Sequence, residues 1–349
     1  MRYSTLGNSD IRVSRVCLGT MTWGQQNTEE EAWEQLDYAT EQGVNFIDTA
    51  ELYPVPRSDE TQGRTEQYIG TWLAERGTRD KVILATKVMG RSDASWFRPF
   101  VDSTRLNREQ ITYALEQSLK RLKTDYVDLY QLHWPDRPVN LFTDSRGYAH
   151  IEEQDVIPLE ETLGILGDLV REGKIRQVGL SNETPWGTMK CLHYAETRDL
   201  PRVQSVQNAY NLLNRLYEQG LAEVSHRETV SCLPYSPIAG GTLSGKYLNG
   251  ALPEGSRRQL FQGFTDRYQK VNVENAVAAY KTLAEAHGLT LLQLAQKFVE
   301  SRPFVTASII GATSMEQLKE NIAAFDIEWT DTLEQGVNEI HEQYPNPAP

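Results

Sequence analysis

The chain has 349 residues, enough for one α/β barrel with insertions and for a core that needs neither disulfides nor metal. It carries 35 Lys and Arg against 48 Asp and Glu, and this net charge of −13 argues against nucleic acid or an anionic membrane as the main partner. Three widely spaced cysteines, a charged N-terminal segment and the lack of any apolar run of about 18 residues predict a reduced, cytoplasmic protein with no signal peptide or membrane span.

The chain begins with two short extended segments, 3–6 and 11–16, around a Gly-Asn-Ser-Asp turn, which predicts a β-hairpin. Short apolar runs then alternate with segments that have helical spacing. Eight runs are predicted as buried strands: 16–19, 44–48, 82–87, 126–133, 175–181, 203–207, 230–236 and 305–311. The predicted helices are 28–42, 65–76, 107–123, 159–172, 184–199, 214–228, 273–287 and 314–324.

Strict strand–helix alternation requires parallel strands joined by crossover helices, which form either an open doubly wound sheet or a closed barrel. The count of eight, and the lack of a Gly-x-Gly-x-x-Gly motif after the first strand, favour a (β/α)8 TIM barrel in a single domain over residues 1–349. Two connections, 134–158 and 237–271, are too long for simple turns. Both follow strands, so we expect them at the carboxyl-end face, where barrel active sites are built.

Four polar residues stand at the ends of three successive strands or just after them: Asp48, Tyr53, Lys87 and His133. Because neighbouring strands lie about 4.8 Å apart, these side chains can converge on one point. An ammonium favours the phenolate, so we expect Lys87 to lower the pKa of Tyr53 from its usual value of about 10, while Asp48 keeps Lys87 charged. Each residue alone is more often structural, but together on one rim they suit proton donation to a developing oxyanion.

The remaining strand ends suit a dinucleotide. Amides at Asn182 and Gln207 can pair with a carboxamide, although such an asparagine caps the next helix about equally often. Tyr235 can stack on a planar ring or belong to the core. The loop after it offers glycines, hydroxyls and cations suited to phosphate, with solvated loop cations as the alternative. The helix after the eighth strand points its N-terminus at the mouth, which makes a second anion site.

Long stretches of the sequence resemble the aldo-keto reductases: 35–39, 50–56, 118–122 and 129–135. This resemblance implies reduction of aldehydes or ketones by hydride transfer from NADPH. It implies Tyr53 as the general acid, with Lys87 depressing its pKa. Asp48 then pairs with Lys87, and His133 orients the carbonyl oxygen. The implied cofactor contacts are Gly19, Thr20, Met21, Ser181, Asn182, Gln207, Tyr235, Ser236, Pro237, Ile238, Gly240, Lys246, Arg257, Gly311, Thr313, Gln317, Glu320 and Asn321.

The sequence departs from the family pattern in two ways. Ala312 stands where many members carry a lysine on the 2′-phosphate, so an NADPH preference depends on Arg257, Thr313 and Gln317. Insertions at 89–106 and 134–157 prevent transfer of substrate-pocket knowledge from other branches. We expect an apolar pocket for a small-molecule carbonyl substrate, lined by Trp23, Trp134, Tyr53 and the loop 134–157. The oligomeric state stays open.

Two other functional classes compete with a reductase. A binding module such as the potassium-channel β subunits would share the barrel, but that branch has Asn at the position of His133, which favours catalysis here. A hydrolase using metal or paired carboxylates is disfavoured, because the six histidines include no His-x-His pair and no two acids form an obvious couple at the strand ends. We therefore expect no metal.

Overall fold

Eight parallel strands form the central sheet of the structure, a computed structural model that describes residues 1–140, 149–152, 155–263 and 266–349. They are β3 (Val16–Gly19), β4 (Phe46–Asp48), β5 (Ile83–Val88), β6 (Val127–Leu132), β7 (Ile175–Ser181), β8 (Val203–Gln207), β9 (Ser231–Cys232) and β10 (Ser308–Ile310). Strands adjacent in sequence pair with each other, and β10 pairs with β3. Bridges from Cys232 to Val305 and from Tyr235 to Ile309 join the two remaining edges. The predicted (β/α)8 TIM barrel is confirmed.

The predicted hairpin is also present, as antiparallel strands β1 (Tyr3–Thr5) and β2 (Arg12–Ser14). It covers the amino end of the barrel, where the backbone N–H of Gly7 donates to Ser231 Oγ at 2.7 Å. Leu6 and Ile11 are buried there against the interior side chains of the strands. The hairpin therefore plugs the floor of the barrel with apolar side chains.

Helices surround the barrel: α1 (Glu29–Glu41), α2 (Arg64–Arg76), α3 (Arg108–Leu122), α4 (Leu159–Arg171), α5 (Pro185–Arg198), α6 (Leu221–Glu228), α7 (Arg257–Leu260), α8 (Val273–Ala286), α9 (Leu291–Ser301), α10 (Met315–Ala323) and α11 (Asp331–Gln343). The prediction of a helix from 214 was wrong at its start, because a 3₁₀ turn at Leu216–Glu218 precedes α6. The sequence prediction also missed α9, which is buried along almost its whole length, although its apolar residues have helical spacing and Thr290 and Gln293 form a capping box at its start.

Strand alternation determines which side chains enter the barrel, because successive residues face opposite sides of a sheet. One interior layer near the hairpin is apolar and includes Cys17, Phe46, Ala85, Leu129, Leu233 and Ala307. The residues two positions later lie in the next layer, nearer the carboxyl ends. On β4, β5 and β6 these are Asp48, Lys87 and Gln131, and Gln207 of β8 hydrogen-bonds to two of them. The interior thus changes from apolar to polar towards the mouth.

The three cysteines are buried and free of disulfides. Burial, reinforced by the nearby charge of Asp48, raises the pKa of the Cys17 thiol well above its usual value. Cys17 is therefore a protonated packing residue. Across the described ranges, no group of three or more His, Cys, Asp or Glu side chains is arranged to hold a metal ion. The helices of those same ranges include none that is long and apolar enough to cross a membrane.

Candidate active site

Lys87 lies at the centre of the polar layer and is fully buried. Its Nζ donates to Asp48 Oδ2 at 2.7 Å, to the carbonyl oxygen of Thr49 at 2.8 Å and to Tyr53 Oη at 3.3 Å. Burial by itself lowers the pKa of Lys87, but Asp48 and Tyr53 outweigh it, so the pKa is raised. The structure thus joins three of the four predicted residues around one buried cation.

Tyr53 is held by the turn that follows β4. Its backbone N–H donates to the carbonyl of Ala50 at 3.1 Å, and its own carbonyl accepts from Gly63 at 2.8 Å. Burial raises the pKa of Tyr53 above 10, and the opposing effect of Lys87 is smaller. Lys87 lowers this pKa, as expected, but the net shift is upward because the loss of hydration, which the sequence-based expectation did not include, has the larger effect. The phenol is accordingly protonated at neutral pH.

His133 follows β6 and packs edge-on against Tyr53, with ring centroids 5.9 Å apart and an interplanar angle of 81°. Burial, followed by the positive charges of Lys87 and Arg57, lowers the pKa of His133 well below 6.5. Its Nδ1 is buried and has no hydrogen-bond partner among the residues that the structure describes. The imidazole is therefore neutral at pH 7 and retains hydrogen-bonding capacity beside Tyr53.

Two amides hold the other oxygen of Asp48. Gln207 Nε2 donates to Asp48 Oδ1 at 2.8 Å, and Gln131 Nε2 donates to the same atom at 3.2 Å. Gln207 Nε2 also lies 3.2 Å from Gln131 Oε1, which links the two amides. The sequence interpretation missed Gln131, although it lies two residues before His133 in the strand predicted over 126–133, a spacing that places both side chains on the same face.

Asn182 joins the predicted cofactor residues to the Tyr53 side of the mouth. Its Nδ2 donates to the carbonyl of His133 at 2.9 Å and to Ser181 Oγ at 3.2 Å, and its Oδ1 accepts from Tyr235 Oη at 2.6 Å. Ser181 Oγ in turn donates to the carbonyl of Gln207 at 2.8 Å. Both amide protons of Asn182 are used within the protein, but a carbonyl oxygen has two lone pairs. Oδ1 can therefore accept one further bond, as from a carboxamide N–H.

The turn after Tyr235 has an unusual backbone. Ser236, Ala239, Gly240 and Gly241 have φ values of 58°, 50°, 62° and 94°, all in the left-handed region. Pro237 and Ile238 lie within the same turn, and the carbonyl of Ile238 accepts from Gly241 at 3.0 Å. A Cβ on Gly241 would lie 3.3 Å from Lys246 Nζ, so the turn and this cation are adjacent. Turns of this kind, with a nearby ammonium, suit an anion.

Further cations follow in the same loop. Arg258 is committed internally, because its NH2 donates to Thr242 Oγ1 and to the carbonyl of Tyr268, each at 2.9 Å. Burial lowers the pKa of Arg257, although Tyr247 and Tyr268 oppose this. The sequence interpretation missed Arg267, whose positive charge opposes the rise that burial causes in the pKa of Tyr235. The predicted phosphate loop is thus a partly buried cationic segment that adjoins the Tyr235 side of the mouth.

The predicted contacts at the end of β3, Gly19, Thr20 and Met21, lie beside the four predicted catalytic residues Asp48, Tyr53, Lys87 and His133, which we call the tetrad. Thr20 Oγ1 donates to the carbonyl of Asp48 at 2.8 Å, and the carbonyl of Met21 accepts from Val55 at 3.0 Å. A Cβ on Gly19 would lie 2.7 Å from Ile309 Cγ2, so the barrel wall itself requires a glycine there. These residues therefore have structural roles at the mouth in addition to their predicted contact with a cofactor.

The predicted adenosine residues divide into two groups. Thr313 donates from both N and Oγ1 to Gln317 Oε1, at 3.0 and 3.1 Å, near the exposed Gly311. Asn321 is buried, and its amide bridges the carbonyl of Gly311 at 3.2 Å and Gln296 of α9 at 2.8 Å. Glu320 accepts from Thr290, which caps α9, at 3.1 Å. The structure thus uses Glu320 and Asn321 to pack α10 against α9.

Only one of the two tryptophans predicted to line the pocket lies beside the tetrad. Trp23 is fully buried, and its Nε1 donates to Gln35 of α1 at 3.2 Å, so it belongs to the core between barrel and helix; this prediction was wrong. Trp134 packs 5.0 Å from the His133 ring. An apolar cluster joins it to Tyr53: Ala50, Leu52, Met89, Ala94, Phe97 and Val55. Within the predicted lining loop 134–157, residues 141–148 and 153–154 lie outside the described residues.

Comparison with known proteins identifies relatives along almost the whole chain. The sequence profile of the family described as "Aldo/keto reductase family" matches residues 15–342. The chain is 49% identical to "Protein tas" of Escherichia coli K12 over 351 aligned positions that cover all of both proteins. It is 30% identical to "Probable voltage-gated potassium channel subunit beta" of Arabidopsis thaliana, with 94% of this chain and 92% of the relative covered. It is 29% identical to "L-glyceraldehyde 3-phosphate reductase" of Escherichia coli O157:H7, with 93% and 88% covered.

Proposed function

Because the chain belongs to the aldo/keto reductase family, we propose that it reduces aldehydes or ketones to alcohols with NADPH, using Tyr53 as the proton donor. One observation carries this proposal: Tyr53 Oη lies 3.3 Å from the buried ammonium of Lys87, which is itself paired with Asp48 at 2.7 Å. A neutral phenol beside a fixed cation is suited to give up its proton to an oxygen that is becoming negative.

Each residue of the tetrad has a distinct role in this proposal. NADPH, when bound, supplies the hydride that reaches the carbonyl carbon. Tyr53 gives its proton to the carbonyl oxygen, and Lys87 stabilises the phenolate that remains. Asp48 holds Lys87 in position and keeps it charged. His133, neutral at pH 7, donates a hydrogen bond that orients the carbonyl oxygen towards Tyr53.

The described residues fit a nicotinamide dinucleotide. Asn182 Oδ1 has a lone pair left for a carboxamide N–H, and Tyr235, with its hydroxyl fixed by Asn182, offers a ring for stacking. The left-handed turn at 236–241, with Lys246, would hold phosphate groups. Many family members bind the 2′-phosphate of NADPH with a lysine at the position of Ala312. Because that lysine is absent here, selection of NADPH over NADH would depend on Arg257 together with Thr313 and Gln317.

The substrate class is a small-molecule carbonyl compound. The name of the E. coli O157:H7 relative supports an aldehyde, and the apolar cluster around Trp134 favours a substrate with an apolar part. The retained His133 favours turnover over a purely cofactor-binding role. Location in the cytoplasm stays a prediction.

A substrate screen tests the proposal. Purified protein is mixed with NADPH and a panel of aldehydes and ketones, NADPH consumption is followed by absorbance, and cofactor affinity is measured by fluorescence quenching. We expect NADPH binding and consumption with at least one aldehyde, with one alcohol formed per NADPH oxidised. Tight NADPH binding without turnover of any carbonyl compound would support a binding module instead.

A further inference from the structure

Glu51, which lies two residues before Tyr53 in the chain, forms a buried ion pair with Arg98. Arg98 NH1 lies 2.8 Å from Glu51 Oε2, and NH2 lies 2.8 Å from Oε1, which is a bidentate arrangement. The Arg98 side chain is 1% exposed and the Glu51 side chain is 2% exposed. Neither group can therefore contact a substrate in the mouth, so any effect on catalysis must act through a neighbour. A fork-like pair of this kind fixes orientation as well as distance.

Both the backbone and the side chain of Glu51 form hydrogen bonds with β5, the strand that carries Lys87, or with the residue that follows it. Its backbone N–H donates to the carbonyl of Lys87 at 3.2 Å, and its Oε1 accepts from the backbone N–H of Met89 at 2.7 Å. Gln62 Nε2 donates to its carbonyl at 2.5 Å. Glu51 thus continues the β4–β5 pairing beyond the last residue of β4. The turn that leads to Tyr53 starts from this fixed point.

Arg98 belongs to the insertion 89–106, for which the sequence offered no role. This insertion is an ordered unit, because Ser92 and Thr104 pair across it and Thr104 Oγ1 donates to the carbonyl of Gly90 at 2.6 Å. The carbonyl of Phe97 accepts from Arg98 NH1 at 2.9 Å, and the Phe97 ring shares an apolar cluster with Tyr53. The insertion therefore reaches the Tyr53 turn at two points, one ionic and one apolar.

We propose that Arg98, acting through Glu51, is a positioning residue that keeps Tyr53 Oη within hydrogen-bond distance of Lys87 Nζ. The inference rests on the reductase function proposed above and extends it by assigning the insertion 89–106 a role in catalysis. The physical reason is geometric, since a misplacement of about 1 Å at a reacting group can cost about 100-fold in rate. A lysine at position 98 keeps the charge but cannot bridge both carboxylate oxygens in the same plane.

Three variants separate positioning from stability. Arg98→Met leaves the Glu51 carboxylate buried and unpaired, Arg98→Lys keeps a cation there, and the double variant Glu51→Gln with Arg98→Met leaves neither charge behind. A matched control is Asp128→Asn. Asp128 is equally buried and accepts from Arg79 at 2.8 Å and from the backbone N–H of Leu84 at 2.9 Å, at the opposite, amino end of β5.

The experiment measures Tm, the Kd of NADPH, and kcat and KM for the best aldehyde of the screen, all well below each Tm. We expect Arg98→Met to lower kcat by at least about tenfold while the Kd of NADPH changes by less than about twofold. Arg98→Lys should recover part of kcat. The double variant should recover Tm but not kcat, and Asp128→Asn should lower Tm with kcat within about twofold of wild type.

The opposite pattern overturns the proposal. If kcat follows Tm, so that the double variant regains both or Asp128→Asn loses as much kcat as Arg98→Met, the pair serves stability alone. If Arg98→Met does not accumulate as folded protein, Arg98→Lys and the double variant decide the same question. A wild-type protein without turnover overturns the proposed function itself, whereas an active wild type with an equally active double variant overturns only the role of Arg98.

Discussion

The ammonium of Lys87 lies 2.7 Å from Asp48 Oδ2, and both side chains are buried in the barrel. Tyr53 Oη is a further acceptor of the same ammonium. Because water cannot replace a lost partner at this depth, the pair contributes to stability and to the Tyr53 environment through the same contacts.

Asp48→Asn is therefore expected to destabilise the protein by about 3–5 kcal/mol, because it leaves the Lys87 charge buried and unpaired. The double variant Asp48→Asn with Lys87→Met removes both charges and should recover much of that loss. Urea unfolding followed by circular dichroism measures both values. A loss below about 1 kcal/mol for Asp48→Asn, the range of an exposed pair, would contradict the burial argument.

The pH profile of reduction should be flat through neutrality. Burial raises the pKa of Tyr53 above 10, so the phenol keeps the proton it must donate up to that pH, and kcat/KM for reduction falls only above it. The pKa of His133 lies well below 6.5, so His133 adds no inflection between about pH 6.5 and 10. Steady-state rates in constant-ionic-strength buffers test this, and an inflection near pH 7 would refute it.

Arg257→Ala should weaken NADPH binding far more than NADH binding, because only NADPH carries the 2′-phosphate that this guanidinium is proposed to bind. Fluorescence quenching titrations with both cofactors give the two Kd values. Arg258→Ala is the control, since Arg258 is committed to Thr242 and to the carbonyl of Tyr268 and should affect both cofactors alike. Equal losses for Arg257→Ala would remove Arg257 from the 2′-phosphate site.

The two tryptophans should behave differently. Trp23→Ala removes a fully buried core side chain and should cost about 3–5 kcal/mol of stability without changing the order of preferred substrates. Trp134→Ala opens the wall beside His133 and should lower kcat/KM for aromatic aldehydes while leaving acetaldehyde little affected. The kcat/KM values for benzaldehyde and acetaldehyde measure the difference. An equal change for both aldehydes would mean that Trp134 does not line the pocket.

The barrel could be predicted because its signals are local. Each strand is a short apolar run, and the residue two positions beyond an interior side chain shares its face, so Asp48, Lys87 and His133 were found from their strand ends alone. The helix α9 was missed because strict alternation allots one helix, α8, to the connection between the last two strands, although Thr290 and Gln293 form a capping box at the start of α9.

The properties that were missed depend on contacts between distant parts of the chain. The net pKa shift of Tyr53 is set by its burial, which no local pattern encodes. Glu51 and Arg98 are 47 positions apart, and Arg98 lies in the insertion 89–106, to which knowledge of the substrate pocket in other branches of the family does not carry over. Trp23 follows a strand end, as a pocket residue would. In the structure its side chain is buried in the core, where it hydrogen-bonds to Gln35 of α1.

The most direct test of the central claim compares Tyr53→Phe with wild type at saturating NADPH and aldehyde. The substitution removes only the hydroxyl that lies 3.3 Å from Lys87 Nζ. If Tyr53 is the proton donor, kcat falls by at least about 100-fold while the Kd of NADPH, measured by fluorescence quenching, stays unchanged. Turnover retained above about a hundredth of the wild-type rate would contradict the assignment of Tyr53 as the acid.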